Sequence, residues 1–171
     1  NADWSHNGRY LVFNKIKSSP RSVELSVLDK ETGDVKCVAK DEVENFGMAC
    51  FTHDDRYVIC NLAVKSGECK LFRIPIHGGE PEQLTFHDEY HWYPSCSPDG
   101  KWILYTSLQG KFLYLYNTEA KTSSRVFPQI QGQNWFGSFS PDGSQICCLL
   151  QRKMNQYDVV VTDFSIIGKG K

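Results

Sequence analysis

At 171 residues the chain is long enough to bury a sizeable core. Its 19 basic and 20 acidic residues leave a net charge of −1, which excludes a general electrostatic pull toward nucleic acid or an anionic membrane. No apolar run approaches the ~20 residues of a spanning helix, and no amino-terminal stretch has the layout of a signal peptide.

In chain order, Asp3-Trp4-Ser5 reads as the end of a first strand and Tyr10-Leu11-Val12-Phe13 as a second. A polar loop over 15–22 follows, then strands at Glu24 to Leu28 and Lys36 to Ala39 around the turn Glu31-Thr32-Gly33-Asp34. The acidic stretch 40–45 is a crossing to a second unit. That unit has strands at Tyr57 to Cys60, Leu71 to Ile76 and Glu82 to Thr85, with turns at Val64-Lys65-Ser66-Gly67-Glu68 and His77-Gly78-Gly79-Glu80. After a polar crossing over 86–92 comes Tyr93 to Ser107, a strand, a tight turn and a second strand. Phe112 to Tyr116 and Ser124 to Phe127 complete this third unit. A fourth has strands around Phe136, over 145–150 and at Asp158 to Thr162, with Ser165-Ile166-Ile167 barely enough for a last one. Gly168 to Lys171 is expected to be a solvated end.

The organising signal is the turn. Ser97-Pro98-Asp99-Gly100 recurs as Ser140-Pro141-Asp142-Gly143, with worn copies at Ser5-His6-Asn7-Gly8 and Thr52-His53-Asp54-Asp55. Pro presets φ, Asp bonds nearby amides and Gly accepts positive φ, so the run joins two antiparallel strands. The first residues stand at 5, 52, 97 and 140, and the successive spacings of 47, 45 and 43 are those of four-stranded propeller blades. The reading is all-β: β-propeller blades of four-stranded antiparallel sheets, three full units and a partial fourth in a single domain, divided at about 1–44, 45–89, 90–132 and 133–171. Such an open arc would expose blade faces and strand edges. It is expected either to be a fragment of a larger ring or to complete one with another copy.

Tyr93 to Ser107 and Phe136 to Leu150 resemble the WD-type β-propeller repeat of the TolB family, and Gly78-Gly79-Glu80-Pro81-Glu82-Gln83-Leu84-Thr85 resembles its third turn and fourth strand. The likeness covers nearly the whole chain. It implies a non-enzymatic binding or scaffold module, taking a protein, peptide or glycan, and an exported or periplasmic setting. The same repeat builds the propellers of oligogalacturonate lyases and prolyl-oligopeptidase-like enzymes, so part of such an enzyme is the alternative. No Gly-x-Ser-x-Gly elbow occurs in the chain. No cofactor is expected.

Candidate ligand-binding residues are those five and four positions before the turn's first residue: Trp92-Tyr93, Trp135-Phe136 and Gly47-Met48. Aromatics there could stack on a sugar or grip a peptide side chain. The competing role is packing between sheets, since strand alternation sends one of each pair inward. His87-Asp88-Glu89-Tyr90-His91 gathers two imidazoles and two carboxylates, making His87 and His91 weak metal candidates in what reads as a solvated crossing. Asp54, Asp99, Gly100, Asp142 and Gly143, with Asn7 as an equivalent, are structural turn residues. The seven cysteines contain no CxxC pair, which argues against a thiolate metal site. Buried thiols suit a reducing or anaerobic setting, against the exported one implied by the resemblance.

Overall fold

The computed structural model describes residues 2–18, 21–41, 48–109, 111–128, 132–154 and 156–167. Four antiparallel sheets follow one another along the chain. The first is β1 (Ala2–Trp4), β2 (Tyr10–Ser18), β3 (Arg21–Asp29) and β4 (Val35–Asp41), hydrogen-bonded in that order. The second is β5 (Cys50–Phe51), β6 (Tyr57–Ala63), β7 (Cys69–Pro75) and β8 (Glu82–Gln83). The third is β9 (His91–Cys96), β10 (Trp102–Ser107), β11 (Phe112–Asn117) and β12 (Thr122–Arg125). The fourth has three strands, β13 (Gln133–Phe139), β14 (Gln145–Lys153) and β15 (Gln156–Asp163), followed by a four-residue helix α1 (Phe164–Ile167). Sequential up-and-down pairing in sheets of three or four strands is the anatomy of propeller blades.

The chain forms two compact units, residues 1–94 and 95–171. In the first, Val12, Leu25, Val27, Phe51, Val58, Cys60 and Ile74 bury a common cluster. In the second, the cluster is built on Leu104, Leu113, Leu115, Phe127, Ile146 and Cys148. The strands read from the sequence occur with shifted ends, except the last, at 165–167. β2 and β3 run through most of the polar stretch expected as a loop, because Lys15 pairs across from Glu24 and Ile16 from Val23, and the ladder continues beyond the core. Positions 19–20 and 42–47 lie outside the described residues. β12 sits two residues earlier than expected: Val126 and Phe127 leave the strand and are buried in the second unit's cluster. Ser165-Ile166-Ile167 belongs to α1 and not to a strand. The Phe164 amide bonds Ser144 O at 2.8 Å, and its ring packs edge-on against Trp102 and Phe139, which closes the chain into a helical turn.

Candidate functional site

The four turns share one set of bonds. In each, the amide of the fourth residue donates to the carbonyl of the first, from Gly8, Asp55, Gly100 and Gly143 to Ser5, Thr52, Ser97 and Ser140 at 2.9, 2.9, 3.0 and 2.9 Å. The first residue's hydroxyl donates to the side-chain oxygen of Asn7, Asp54, Asp99 or Asp142 at 2.6–2.8 Å. That hydroxyl also accepts the amide five residues on, from Tyr10, Tyr57, Trp102 and Gln145. The acid in turn accepts the amide two residues after it, as Lys101 N bonds Asp99 Oδ1 at 3.1 Å. Burial alone would raise the carboxyls of Asp54 and Asp99, but these bonds outweigh it and hold both below their ordinary value. Asp142, bonded by the Ser140 hydroxyl and by Ser144, falls to about 2. All three acids are therefore occupied in holding backbone.

Within each compact unit, the two turns meet through the second residue of the first and the fourth residue of the next. Where the second residue is Pro98, which has no amide to offer, Gly143 comes so near that an added Cβ would lie 3.3 Å from the Pro98 ring. Where the second residue is His6, which has one, the glycine is replaced by Asp55. Its nearly buried carboxylate accepts the amides of His6 at 2.7 Å and Asn7 at 2.9 Å, and lies 3.1 Å from His6 Nδ1. The His53 ring sits edge-on to His6 at 5.8 Å. His6, His53 and Asp55 thus form a cluster that reading the turns one at a time does not find. The signal was present in the paired exchange of Pro for His and Gly for Asp. Beside it lies a cleft of about 350 Å³ walled by Asn7, Tyr10, Asp54, Arg56, Tyr57 and His77.

The aromatic pairs depart from strand alternation. Tyr93 and Phe136 both have left-handed backbone, φ 55° and 54°. In β13 this is a bulge: Trp135 pairs with Leu149 and Ser138 with Cys147, so one residue is extra. The two rings of each pair consequently lie side by side, 5.9 Å apart for Trp92 and Tyr93 and 5.5 Å for Trp135 and Phe136, instead of on opposite faces. Met48 and Phe136 are exposed and Tyr93 is half-buried. Trp135 is covered by Phe136, by Tyr157 stacked at 6.2 Å, and by Lys111 Nζ at 4.7 Å over the ring. The indole nitrogens of Trp92 and Trp135 are buried with no hydrogen-bond acceptor among the described residues. Trp92, Tyr93 and Trp135 are thus all half-buried, and Phe136 is the exposed ring of the two pairs. Gly47 lies outside the described residues.

The crossing before the third sheet is less solvated than its composition implies. His91 is fully buried, and its Nδ1 lies 2.7 Å from the Thr85 hydroxyl, which also accepts the Leu71 amide at 3.0 Å. Burial, followed by the nearby Lys70 cation, pushes the His91 ring down to about 4, so it is neutral at physiological pH. Lys70, itself buried, pairs with Glu68 at 2.9 Å and donates to the carbonyls of His87 and Glu89. It pins the crossing to the second sheet, a role invisible in a sequence where it reads as one more strand lysine. His87 is exposed, and among the described residues no group of three or more His, Cys, Asp or Glu is arranged to hold a metal. All seven cysteines are thiols, and burial raises Cys148 to about 11 and Cys60 further still. No helix among the described residues is long and apolar enough to cross a membrane.

No protein-family profile matches the chain. It is 26% identical over 153 residues to the uncharacterized protein Atu1656 of Agrobacterium fabrum, covering 84% of this chain and 48% of that protein. Its fold is similar to TolB from Acinetobacter baumannii (TM-score 0.78, 19% identity, 100% of this chain and 41% of that one). It is equally similar to a putative TolB from Agrobacterium tumefaciens (TM-score 0.78, 21% identity, 96% and 57%). An oligogalacturonate lyase in complex with manganese also matches (TM-score 0.75, 14% identity, 98% and 50%). The chain thus spans between 41% and 57% of the length of these four proteins. Recurrent turn, blade-like sheets and these likenesses together establish an all-β fold of the TolB-like β-propeller type.

Proposed function

We propose that the chain is part of a non-enzymatic binding module whose contact positions are Met48, Tyr93 and Phe136, carried on Trp92 and Trp135. The observation that carries this reading is the left-handed backbone at Tyr93 and Phe136. A bulky residue at positive φ costs on the order of 1–3 kcal/mol, and such strain concentrates where a side chain is held for a purpose. Here it sets a large ring beside a half-buried tryptophan, giving contact area with few rotors to freeze. The ligand class that fits is a peptide segment of a protein, gripped through an apolar side chain; a glycan stacked on the rings is the other occupant of the same positions. The likeness to TolB is consistent with a protein-binding role and with an exported setting.

The test is selection of a random peptide library on the wild-type chain, with a glycan array in parallel. The Tyr93→Ser/Phe136→Ser variant is then screened against every binder found. Peptides retained by wild type and lost by the variant support the reading. Binders indifferent to the substitutions overturn it, and array hits in place of peptides move the ligand to glycan.

A further inference from the structure

Arg9 and Arg56 stand at the same place in the repeat, four residues after Ser5 and Thr52. In the first sheet the arginine is held by two acids. Its Nε lies 3.1 Å from both Asp29 carboxylate oxygens, its Nη2 lies 2.6 Å from Asp29 Oδ2, and its Nη1 lies 2.8 Å from Glu31 Oε2. The ladders fix the counterparts in the second sheet. Tyr10 pairs with Asp29 and Tyr57 with Pro75, so Pro75 stands where Asp29 does and His77 where Glu31 does. Neither carries a carboxylate. Among the described residues no carboxylate oxygen is hydrogen-bonded to the Arg56 guanidinium, and Asp54 attracts it through space only.

An uncharged counterpart alone marks no site, since Lys101 has one in Asn117. At Arg56 it coincides with a cavity. Arg56, Pro75 and His77 all wall the cleft of about 350 Å³, together with Tyr10 and Tyr57. That volume is at the lower end of the range for small-molecule sites. Every wall lies inside the first compact unit, and none belongs to the chain's first or last strand. The acids in the wall are turned to the turns themselves. Asp54 Oδ1 accepts the Thr52 hydroxyl and the Arg56 amide, and the two Asp55 oxygens accept the amides of His6 and Asn7. The Arg56 guanidinium is left as the charged donor of the cleft, and its natural complement is a carboxylate, which takes two parallel bonds from it. The charges on Asp54 and Asp55 disfavour a ligand with a second negative charge. The tyrosine rings and Pro75 suit a flat apolar body.

We propose that this cleft binds a small organic monocarboxylate, its carboxylate on Arg56 in the place Asp29 takes on Arg9 and its apolar body against Tyr10 and Tyr57. The site uses none of Met48, Tyr93 and Phe136, so it stands or falls separately from the peptide-binding reading.

The experiment is titration of the isotope-labelled 171-residue chain with phenylacetate, followed through backbone amide shifts by nuclear magnetic resonance. Phenylethylamine, a cation with the same body, and inorganic phosphate are titrated in parallel. Phenylacetate is expected to give saturable shifts at 54–57 and 75–77 with a Kd on the order of 1 mM, and phenylethylamine none. Arg56 is exposed, and Arg56→Gln is expected to raise that Kd about tenfold or more while the remaining amide signals stay in place. Pro75→Asp gives Arg56 the partner that Arg9 has and is expected to abolish binding by filling the site from within. No saturable shift below ~10 mM phenylacetate, or binding unchanged in Arg56→Gln, overturns the proposal. Phenylethylamine binding in place of phenylacetate overturns the charge assigned to the ligand, and phosphate binding as tightly as phenylacetate overturns its organic class. A folded Pro75→Asp chain that binds as wild type does overturns the equivalence with Asp29.

Discussion

Replacing Asp55 by glycine restores the usual turn residue and ought to be harmless if the turns were independent. The structure says otherwise. Asp55 accepts two backbone amides at 2.7 and 2.9 Å from the preceding turn, with its side chain only 10% exposed. Hydrogen bonds to a charged group contribute about 1.5–3 kcal/mol each, so the two together contribute about 3 kcal/mol at the low end. Against this, glycine relieves the left-handed backbone at φ 55°, a gain of about 1 kcal/mol that the more flexible unfolded chain partly cancels. The expected net loss is about 2–3 kcal/mol, measured as a fall in the urea midpoint at unchanged m-value. His6→Pro/Asp55→Gly rebuilds the arrangement of Pro98 and Gly143 and removes one of the two orphaned amides. The double variant is therefore expected to be more stable than Asp55→Gly alone, with a coupling of about 1 kcal/mol. A neutral Asp55→Gly, or a cycle that is additive within about 0.3 kcal/mol, would refute the compensation between neighbouring turns.

Other outcomes follow from the same geometry. Gly137→Ala places a methyl on the buried Leu113 and is expected to cost about 1–3 kcal/mol by thermal unfolding, with Leu113→Ala in the same chain recovering part of it. His91, held near 4 by burial, is expected to show no change in its ring proton shifts between pH 5 and 8 by nuclear magnetic resonance; a midpoint near 6.5 contradicts its placement. The turn acids Asp54, Asp99 and Asp142 have depressed values in the fold, so their contribution is present above the ordinary carboxylate value of 3.8 and is lost as pH falls through the folded values, last for Asp142 at about 2. Thermal midpoints should therefore drop between pH 4 and pH 2, and less steeply in Asp99→Asn. With iodoacetamide, exposed Cys37 should react before buried Cys60 and Cys69.

What the sequence shows most clearly is what repeats. Ser97-Pro98-Asp99-Gly100 announces its own bonds, because hydroxyl, carboxylate and glycine are each placed for a turn, and the spacing then locates every sheet. It is weaker where a residue's role depends on the neighbouring unit. Asp55 looks like a damaged glycine until His6 is beside it, and Lys70 looks exposed until the carbonyls of His87 and Glu89 close over it. The side-by-side rings of Trp135 and Phe136 require a bulge, and nothing in an aromatic pair marks a left-handed residue. Polar composition also misleads over 15–22, where β2 and β3 persist through opposed Lys15 and Glu24 because ladder bonds do not need an apolar face. The exposure of Val159 and Val161 agrees with the expectation that the last sheet of an open arc shows an apolar face.

The account rests on one module built four times, the second sheet covering the first and the fourth covering the third. A crystal structure of the 171-residue chain tests this most directly. The four turn segments should superpose with the same serine or threonine bonds, with Leu113 N on Asn134 Oδ1 and the Asp55 carboxylate on the amides of His6 and Asn7. Sheets stacked face to face as a sandwich, or turns whose acids point to solvent, would contradict it.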